Sequence, residues 1–370
     1  MKFYPVLEPV IGQKEKEYIN DCINSGWISS NGKYVKQFEE AFAKWNGVKY
    51  ADAVCNGTVS LHLILLALGI KPGDEVIVPD CTYVATANSV LYVGAKPIFI
   101  DCKEDTLNID PLKIEEKITR NTRAIIVVHL FGNPCDMGTI MGIARKHKLL
   151  VIEDAAEAHG ALFRNKMVGT FGIANSYSFF GNKIMTTGEG GAVVTNSKKV
   201  HRIISLLKNQ GQNPKHRKYY HDCLAYNYRL TNLQAAVGIG QLEQIDRFLE
   251  TKRNINSWYR EFLSPLVEKG IINFQEATPN SAPSWWVTTI LINTVAVNKL
   301  AVQLRAASID TRPCFYPMHK QPHLKQTGNF PKSDRVAKSG MIVPSSSSLA
   351  KNDVEVISKV LTELLTKKNK

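Results

Sequence analysis

The sequence predicts an α/β fold with a large mixed sheet of mostly parallel strands, followed by a smaller α+β domain. Between residues 50 and 200, short apolar strand patterns alternate with segments of helical period, which is typical of a parallel sheet. A long helical segment from about Asn232 to Phe262 follows and is expected to link two domains. We therefore expect a large domain over residues 1–247, with an N-terminal arm over residues 1–30, and a small domain over residues 248–370.

The individual elements follow from local periodicity and from turn residues. The predicted strands of the large domain are Glu75–Pro79, Pro97–Asp101, Ala124–Leu130, Leu149–Glu153, Asn175–Phe179 and Ala192–Thr195. Its predicted helices are Gln13–Asn24, Val59–Leu68, Ala85–Val93, Ile140–His147 and the long segment, which Gly238 and Gly240 are expected to weaken. The small domain is predicted to contain a strand at Trp286–Asn293 and helices at Val297–Ala306 and Asp353–Leu365.

Composition narrows the class of protein. The chain of 370 residues is 44% hydrophobic and 21% charged, which is ordinary for a globular protein. Its first ten residues lack the apolar core of a signal peptide, and its apolar runs are too short to span a bilayer. The short apolar runs lead us to expect no membrane attachment. The seven cysteines form no CxxC pair, so we expect no metal site. We expect their thiols to be reduced, as is usual in the cytoplasm, which is therefore the expected location.

The net charge of +13 leaves several kinds of partner open. A basic surface can bind nucleic acid, but the basic residues here are scattered along the chain, which favours an ordinary solvated surface. A phosphorylated small-molecule substrate is the functional alternative. We therefore expect no nucleic-acid partner.

Lys183 lies in the most informative segment, Ser178-Phe-Phe-Gly-Asn-Lys183, which is followed by the glycine-dense run Thr187-Gly-Glu-Gly-Gly191. An ammonium group desolvated among aromatic residues has a lowered pKa, and its neutral amine is a nucleophile. Such a lysine can hold an aldehyde cofactor as a Schiff base. Taken alone, this lysine would more often be a surface residue beside a hairpin turn, and only the other segments favour the cofactor role.

Two other segments have the chemistry of a cofactor site. Asn56-Gly57-Thr58 precedes an apolar helix, so its backbone N–H groups could bind an anion, or Asn56 or Thr58 could simply cap the helix. Asp154 ends a predicted strand and could keep a pyridine nitrogen protonated, or it could form a capping box with Glu157.

Candidate residues for ring stacking and substrate binding occur in three further places. Tyr83 follows a strand and could stack on a planar cofactor, although a core tyrosine is as reasonable. Arg229 in Tyr226-Asn-Tyr-Arg229 could bind a carboxylate or form a surface salt bridge. Arg312-Pro-Cys-Phe-Tyr316-Pro-Met-His319 suits a polar substrate such as a diphosphate, or is a structured loop with incidental polar residues.

Together these segments resemble the DegT/DnrJ/EryC1/StrS family of sugar aminotransferases, which are pyridoxal 5'-phosphate enzymes of fold type I. The resemblance covers nearly the whole chain, in the order and spacing of the segments Ser25–Ser30, Asn56–Val59, Pro72–Pro79, Glu153–Glu157, Ser178–Lys183, Thr187–Gly191, Tyr226–Arg229 and Arg312–Pro317. It implies that Lys183 is the Schiff-base lysine and proton shuttle. The other cofactor contacts it implies are Gly57, Thr58 and Ser178 on the phosphate, Tyr83 and Asp154 on the ring, and Glu157 beside it.

The resemblance also implies partners and substrates. Asn227 would reach the cofactor phosphate of a neighbouring subunit, which makes the active unit a homodimer with shared active sites. Arg229 would lie near the carboxylate of the amino donor. The residues implied for the nucleotide-sugar cleft are Trp27, Ser29, Arg312, Tyr316 and His319.

The implied reaction moves an amino group from L-glutamate to C4 of a nucleotide-linked 4-keto-6-deoxy sugar, through pyridoxamine 5'-phosphate and with release of 2-oxoglutarate. The nucleotide is left open between GDP and UDP. A dehydratase branch of the family has a histidine in place of the lysine, so Lys183 argues against that reaction. A non-catalytic pyridoxal phosphate-binding regulator is a further alternative, which the donor- and substrate-facing residues Arg229 and His319 disfavour.

Several positions differ from the common pattern of the family: Cys55, Asp80-Cys81, Ile184-Met185, Trp285-Trp286, and the serines that follow Met341–Pro344. Because Lys183 and Asp154 are intact, we expect these differences to affect recognition of the substrate and not the chemistry.

Overall fold

The computed structural model describes residues 2–213 and 215–367. Its helices are α1 (Gln13–Ser25), α2 (Lys33–Asn46), α3 (Gly57–Ala67), α4 (Ala85–Tyr92), α5 (Met137–His147), α6 (Lys198–Leu207), α7 (Asn232–Leu242), α8 (Ile245–Phe262), α9 (Ser264–Glu268), α10 (Val297–Ala306), α11 (Pro331–Ser339) and α12 (Lys351–Thr366). None of the helices within these two ranges combines the length and the apolar content needed to cross a membrane.

The strands are β1 (Tyr50–Val54), β2 (Glu75–Pro79), β3 (Lys96–Ile100), β4 (Thr122–Val128), β5 (Leu150–Asp154), β6 (Leu162–Phe163), β7 (Lys166–Met167), β8 (Ala174–Ser178), β9 (Gly191–Thr195), β10 (Ile272–Phe274), β11 (Ser281–Ala282), β12 (Thr288–Ile292), β13 (Arg312–Pro313) and β14 (Gly340–Val343). Seven of them form one sheet in the order β1-β9-β8-β5-β4-β2-β3. Only β9 runs antiparallel to the other six, so the prediction of a mixed, mostly parallel sheet is confirmed.

The strands of this sheet are buried because helices cover both faces. β4 has the sequence Thr-Arg-Ala-Ile-Ile-Val-Val and is buried at every position except Arg123, the pattern of a central parallel strand. All six strands predicted for the large domain are present, with ends within two residues of those expected. β1 was not predicted, because Asp52 interrupts its apolar pattern. That carboxylate is buried and is paired with Lys208 and His201.

The predicted long helix is in fact two helices, α7 and α8, with a break at Glu243 and Gln244. The glycines expected to weaken it are not at the break. A Cβ at Gly238 would lie 2.8 Å from the Phe38 ring, and one at Gly240 would lie 2.9 Å from Glu15. Both glycines therefore let α7 approach α1 and α2 closely.

The C-terminal part of the chain forms an antiparallel sheet in the order β10-β12-β14-β13, against which α8, α10, α11 and α12 pack. A third, small sheet joins β11 to the β6–β7 hairpin of the larger unit. This arrangement is the α+β unit that the sequence predicts. Residue 247, the last residue of the predicted large domain, lies in the first turn of α8, and the boundary itself stays a prediction.

Candidate functional site

A cavity of about 520 Å³ opens where the carboxyl ends of β1, β2, β5 and β8 meet. The carboxyl edge of a parallel sheet is the usual place for a ligand site, because loops and helix N-termini converge there. The lining side chains and turns come from both parts of the chain: Asn56, Gly57, Thr58, Leu61, Thr82, Tyr83, Ala85, Val128, Asp154, Ala156, Glu157, Ser178, Phe180, Asn182, Lys183, Glu189, Trp286, Arg312, Pro313, Phe315 and Ile342.

Lys183 reaches the cavity from the loop between β8 and β9. The loop is fixed at its base by the Phe179 N–H, which donates to the Gly190 carbonyl at 2.8 Å, and by the Thr187 N–H, which donates to the Phe179 carbonyl at 2.9 Å. Gly188 has a φ of 81°, a conformation in which a side chain would be strained. The glycine-dense run is therefore required by the turn that presents the lysine.

The Nζ of Lys183 lies between a carboxylate and an aromatic ring. It is 3.5 Å from Oε1 of Glu157 and 3.9 Å from the centroid of the Trp286 ring, and the lysine side chain is only 11% exposed. Burial lowers the pKa of Lys183, and the negative charges of Glu157 and Asp154 oppose that effect. A lowered pKa increases the neutral, nucleophilic fraction of the amine at neutral pH.

Asp154 and Glu157 form the acidic floor of the cavity. Thr86 Oγ1 donates to Asp154 at 2.8 Å and the Ala156 N–H donates to it at 3.2 Å, so both of these hydrogen bonds come from neutral donors. Glu157 accepts a hydrogen bond of 2.9 Å from the Phe131 N–H. Burial raises the pKa of both carboxyl groups, because few charges compensate for the lost water. No helix begins between these two residues, so the capping-box alternative does not hold.

The turn at Asn56 and Gly57 is both a helix cap and a narrow cradle. The Asn56 side chain accepts the Val59 N–H at 3.0 Å, so it caps α3 as one alternative proposed. A Cβ at Gly57 would lie 2.9 Å from the Cβ of Ser178, which leaves no room for a side chain. The cradle thus combines the N-terminus of α3 with the hydroxyls of Thr58 and Ser178, the donor set that suits a phosphate.

Tyr83 and Arg312 lie on the outer wall. The exposed Tyr83 ring is tilted by 58° against Phe315, with ring centroids 5.8 Å apart. Arg312 is exposed, begins β13 and lines the same cavity. Their predicted roles on the cofactor ring and on the substrate phosphates stay predictions.

His319 is held outside the cavity lining by the larger unit. Its backbone N–H donates to Asp80 at 2.8 Å, and its Nδ1 lies 2.7 Å from the other oxygen of that carboxylate. Its ring stacks on Phe330 at 4.6 Å. Tyr316, three residues earlier, is exposed and also lies outside the lining. The contact with Asp80 therefore fixes the segment that follows β13, seven residues after Arg312.

Four other predicted site residues do not line this cavity within one chain. Asn227 and Arg229 lie together beside the end of β1, where Arg229 Nη2 donates to Asn227 Oδ1 at 3.2 Å. Trp27 and Ser29 are exposed on the segment after α1, whose backbone carbonyls accept hydrogen bonds from Asn232. The predicted roles of all four require a second subunit or a bound ligand.

Sequence reasoning missed two residues that shape the site. Thr86 donates to Asp154, and the only sequence signal was a hydroxyl close behind Tyr83 at the end of a strand. Trp286 was noticed only as an unusual residue, yet it covers Lys183. A third residue near the amine, His159, packs its ring against the rings of Tyr177 and Phe179. Burial lowers the pKa of His159 to about 3, so its ring is neutral.

The residues of the cavity fit pyridoxal phosphate. The Gly57 cradle suits the phosphate, the buried carboxylate of Asp154, whose hydrogen bonds come from neutral donors, suits a pyridinium N–H, and Lys183 offers an amine with a lowered pKa. This arrangement can hold an aldehyde cofactor and move protons beside it.

Comparison with known proteins gives the family. The sequence model of the DegT/DnrJ/EryC1/StrS aminotransferase family matches residues 9–362 of this chain. A GDP-perosamine synthase from Escherichia coli O157:H7 is 44% identical over 370 residues, covering 100% of both chains. The fold resembles that of Helicobacter pylori PseC, an aminotransferase of pseudoaminic acid biosynthesis, with a TM-score of 0.92, 25% identity and coverage of 99% and 100% of the two chains.

The fold is also similar to that of a GDP-4-keto-6-deoxymannose-3-dehydratase, ColD, in a structure with bound GDP-perosamine. The TM-score is 0.88 at 28% identity, over 97% of this chain and 100% of that one. The fold-type I architecture expected from the resemblance is therefore confirmed. The chain belongs to the DegT/DnrJ/EryC1/StrS aminotransferase family and is a pyridoxal phosphate-dependent sugar aminotransferase.

Proposed function

We propose that this enzyme transfers the amino group of L-glutamate to C4 of GDP-4-keto-6-deoxymannose, forming GDP-perosamine and 2-oxoglutarate. The observation that carries the proposal is Lys183, a buried amine paired with Glu157 where the dehydratase branch of the family has a histidine. The choice of GDP is supported by full-length relatives named GDP-perosamine synthase, which are 44%, 40% and 42% identical to this chain.

The chemistry divides between the cofactor and the chain. Bound pyridoxal phosphate supplies an aldehyde that accepts amines and a ring that delocalises electrons. Lys183 Nζ would take the α-proton of glutamate and later deliver a proton to C4 of the sugar, and its lowered pKa favours the neutral amine that the first of these steps needs. Asp154 would keep the ring nitrogen protonated, and the Gly57 cradle would hold the phosphate at the N-terminus of α3.

The two half-reactions test the activity. Glutamate added to the loaded enzyme should convert the bound cofactor to its pyridoxamine form and release one 2-oxoglutarate per site. The Lys183→Ala variant should lose the visible absorbance of the lysine-bound cofactor and turn over neither substrate. A non-catalytic regulator would bind the cofactor without responding to glutamate, which would reject the proposal.

The nucleotide is tested with two matched substrates. GDP-4-keto-6-deoxymannose should be aminated with a higher kcat/KM than UDP-4-keto-6-deoxyglucose when the same pyridoxamine-loaded enzyme is used. The opposite preference would favour the UDP-linked alternative and leave the aminotransferase assignment unchanged.

We also propose that two chains share each active site. Asn227 and Arg229 lie beside the end of β1 but outside the cavity lining, which supports their serving a neighbouring site. Mixing an inactive Lys183→Ala chain with an inactive Asn227→Asp chain should restore activity in mixed dimers, because one site of each would be intact. The absence of any restored activity in proven mixed dimers would contradict sharing.

A cytoplasmic location is supported by the seven cysteines, all of which are free.

A further inference from the structure

The Trp286 ring covers the catalytic amine from the C-terminal unit of the fold. Its ring centroid is 3.9 Å from the Nζ of Lys183, within the distance at which an ammonium is attracted to an aromatic face. The ring is 5% exposed, so water does not weaken this contact as it would at a surface. The contact joins a lysine of the N-terminal unit to the segment just before β12 in the C-terminal unit.

A second contact fixes the orientation of the ring. Trp286 Nε1 donates a hydrogen bond of 2.6 Å to the carbonyl of Asn182, the residue before Lys183. The indole therefore contacts this loop twice, through the backbone carbonyl of Asn182 and through the amine of Lys183. A phenylalanine could supply the face but not the N–H.

The backbone around Trp286 is shaped for this position. Trp285 has a φ of 49°, an uncommon conformation for a bulky residue, which costs about 1 kcal/mol or more. A Cβ at Gly132 would lie 2.7 Å from the Trp286 nitrogen and 2.8 Å from that of Trp285, so only glycine permits this approach. The chain thus accepts local strain and close packing where Trp286 enters the cavity.

We propose that Trp286 is a positioning residue that holds the amine of Lys183 in its working place whenever the amine is not attached to the cofactor. The other groups facing that amine are the carboxylates of Glu157 and Asp154 and the neutral ring of His159. Arg312 and Glu189 line further walls of the cavity. The carboxylate of Glu157 attracts the ammonium by its charge at 3.5 Å, and the ring adds a second, uncharged contact at 3.9 Å that limits how far the amine can move.

The proposal predicts the proton affinity of Lys183. Removing a desolvated cation–π contact should lower the pKa of Lys183 by about one pH unit, that is, about tenfold in the proton-binding constant. Trp286→Leu should show the full shift. Trp286→Phe, which keeps a weaker aromatic face, should show a smaller shift. Trp258→Leu, a change at a tryptophan of α8 outside the cavity lining, should leave the pKa of Lys183 unchanged.

Competitive labelling measures this without turnover. The full-length enzyme is loaded with pyridoxamine phosphate, so that Lys183 is free, and is labelled with trace acetic anhydride across a pH series. Mass spectrometry of the Lys183 peptide then gives the pKa of that one amine. A shift in Trp286→Leu, with a smaller one in Trp286→Phe, supports the proposal.

An unchanged pKa of Lys183 in Trp286→Leu, or an equal shift in Trp258→Leu, would overturn the proposal. If Trp286→Leu does not fold, the variants Trp286→Phe and Trp286→His provide the test, because each keeps a planar ring that attracts cations less strongly than indole does. Equal pKa values of Lys183 in these two variants and in the wild type would also overturn the proposal. The inference depends on Lys183 as the cofactor lysine and not on the identity of the sugar, so its failure would leave the proposed substrate untouched.

Discussion

Lys252 is a buried lysine whose replacement tests how strongly this fold desolvates its charges. It lies on α8, is 2% exposed, and donates to the backbone carbonyl of Ser345. Burial lowers its pKa to about 7. In the unfolded chain the pKa of this lysine returns to about 10.4. Below that pH, protonation of Lys252 therefore stabilises the unfolded chain more than the folded protein. We expect Lys252→Met to stabilise the protein at neutral pH.

The sign and size follow from linkage. Between the folded and unfolded pKa values, the unfolded chain binds one more proton than the folded chain, so wild-type stability rises with pH. A difference of three to four pH units corresponds to about 4–5 kcal/mol of penalty below the folded pKa. The hydrogen bond to Ser345, worth about 1 kcal/mol, is lost in the methionine variant. At pH 7 the variant should therefore be more stable by about 3 kcal/mol, and by about 1 kcal/mol at pH 9.

Urea unfolding of both proteins at pH 7 and pH 9, at one protein concentration, measures this difference. The control is Lys359→Met, which removes a lysine that is 69% exposed and should change stability by less than about 0.5 kcal/mol at either pH. The gain in unfolding free energy from Lys252→Met should shrink between pH 7 and pH 9, because the cost of burying the ammonium falls as Lys252 loses its proton. A gain that stays constant or grows over this range would refute the reasoning.

Two further changes test the site. Gly57→Ala should weaken cofactor binding at least tenfold in an absorbance titration, because the added Cβ would lie 2.9 Å from the Cβ of Ser178. The control is Gly142→Ala, which should bind the cofactor normally because an added Cβ there meets no atom within 4 Å. Asp80→Asn should raise the KM for the nucleotide sugar several-fold with cofactor absorbance unchanged, because it breaks a buried pair with His319 that fixes the segment after β13. A KM equal to that of the wild type would show that the pair does not position this segment for the substrate.

The parallel sheet could be predicted because its strands are apolar on both faces. β4 is an example, with five consecutive buried apolar residues after Arg123. β1 escaped prediction because Asp52 sits in its centre, and its ion pairs to Lys208 and His201 come from residues about 150 positions away. Local periodicity holds no information about such partners.

The break between α7 and α8 has a similar origin. Both halves are helical in period, so the sequence predicts one helix. At the break, Gln244 donates to the buried Glu15 of α1, a contact that depends on the packing of three helices. Gly238 and Gly240, which pointed to local weakness, instead make room for that packing.

The cofactor side of the site was easier to predict than the substrate side. Lys183, Asp154 and the Gly57 turn follow strands or open a helix, so the carboxyl edge of the sheet brings them together. His319 was assigned to the sugar cleft from its neighbours in the chain, but its contact with Asp80 spans 239 positions. Trp286 reaches Lys183 from the other unit of the fold, which no pattern along the chain could show.

The most direct test of the central claim is to find which lysine forms the bond to the cofactor. Borohydride reduction of the loaded enzyme should leave a phosphopyridoxyl group on the peptide that contains Lys183, and prior incubation with L-glutamate should abolish the label. Lys252 is the informative competitor, since it is buried and its pKa is also lowered. A label on Lys252, or one that survives glutamate, would contradict the account.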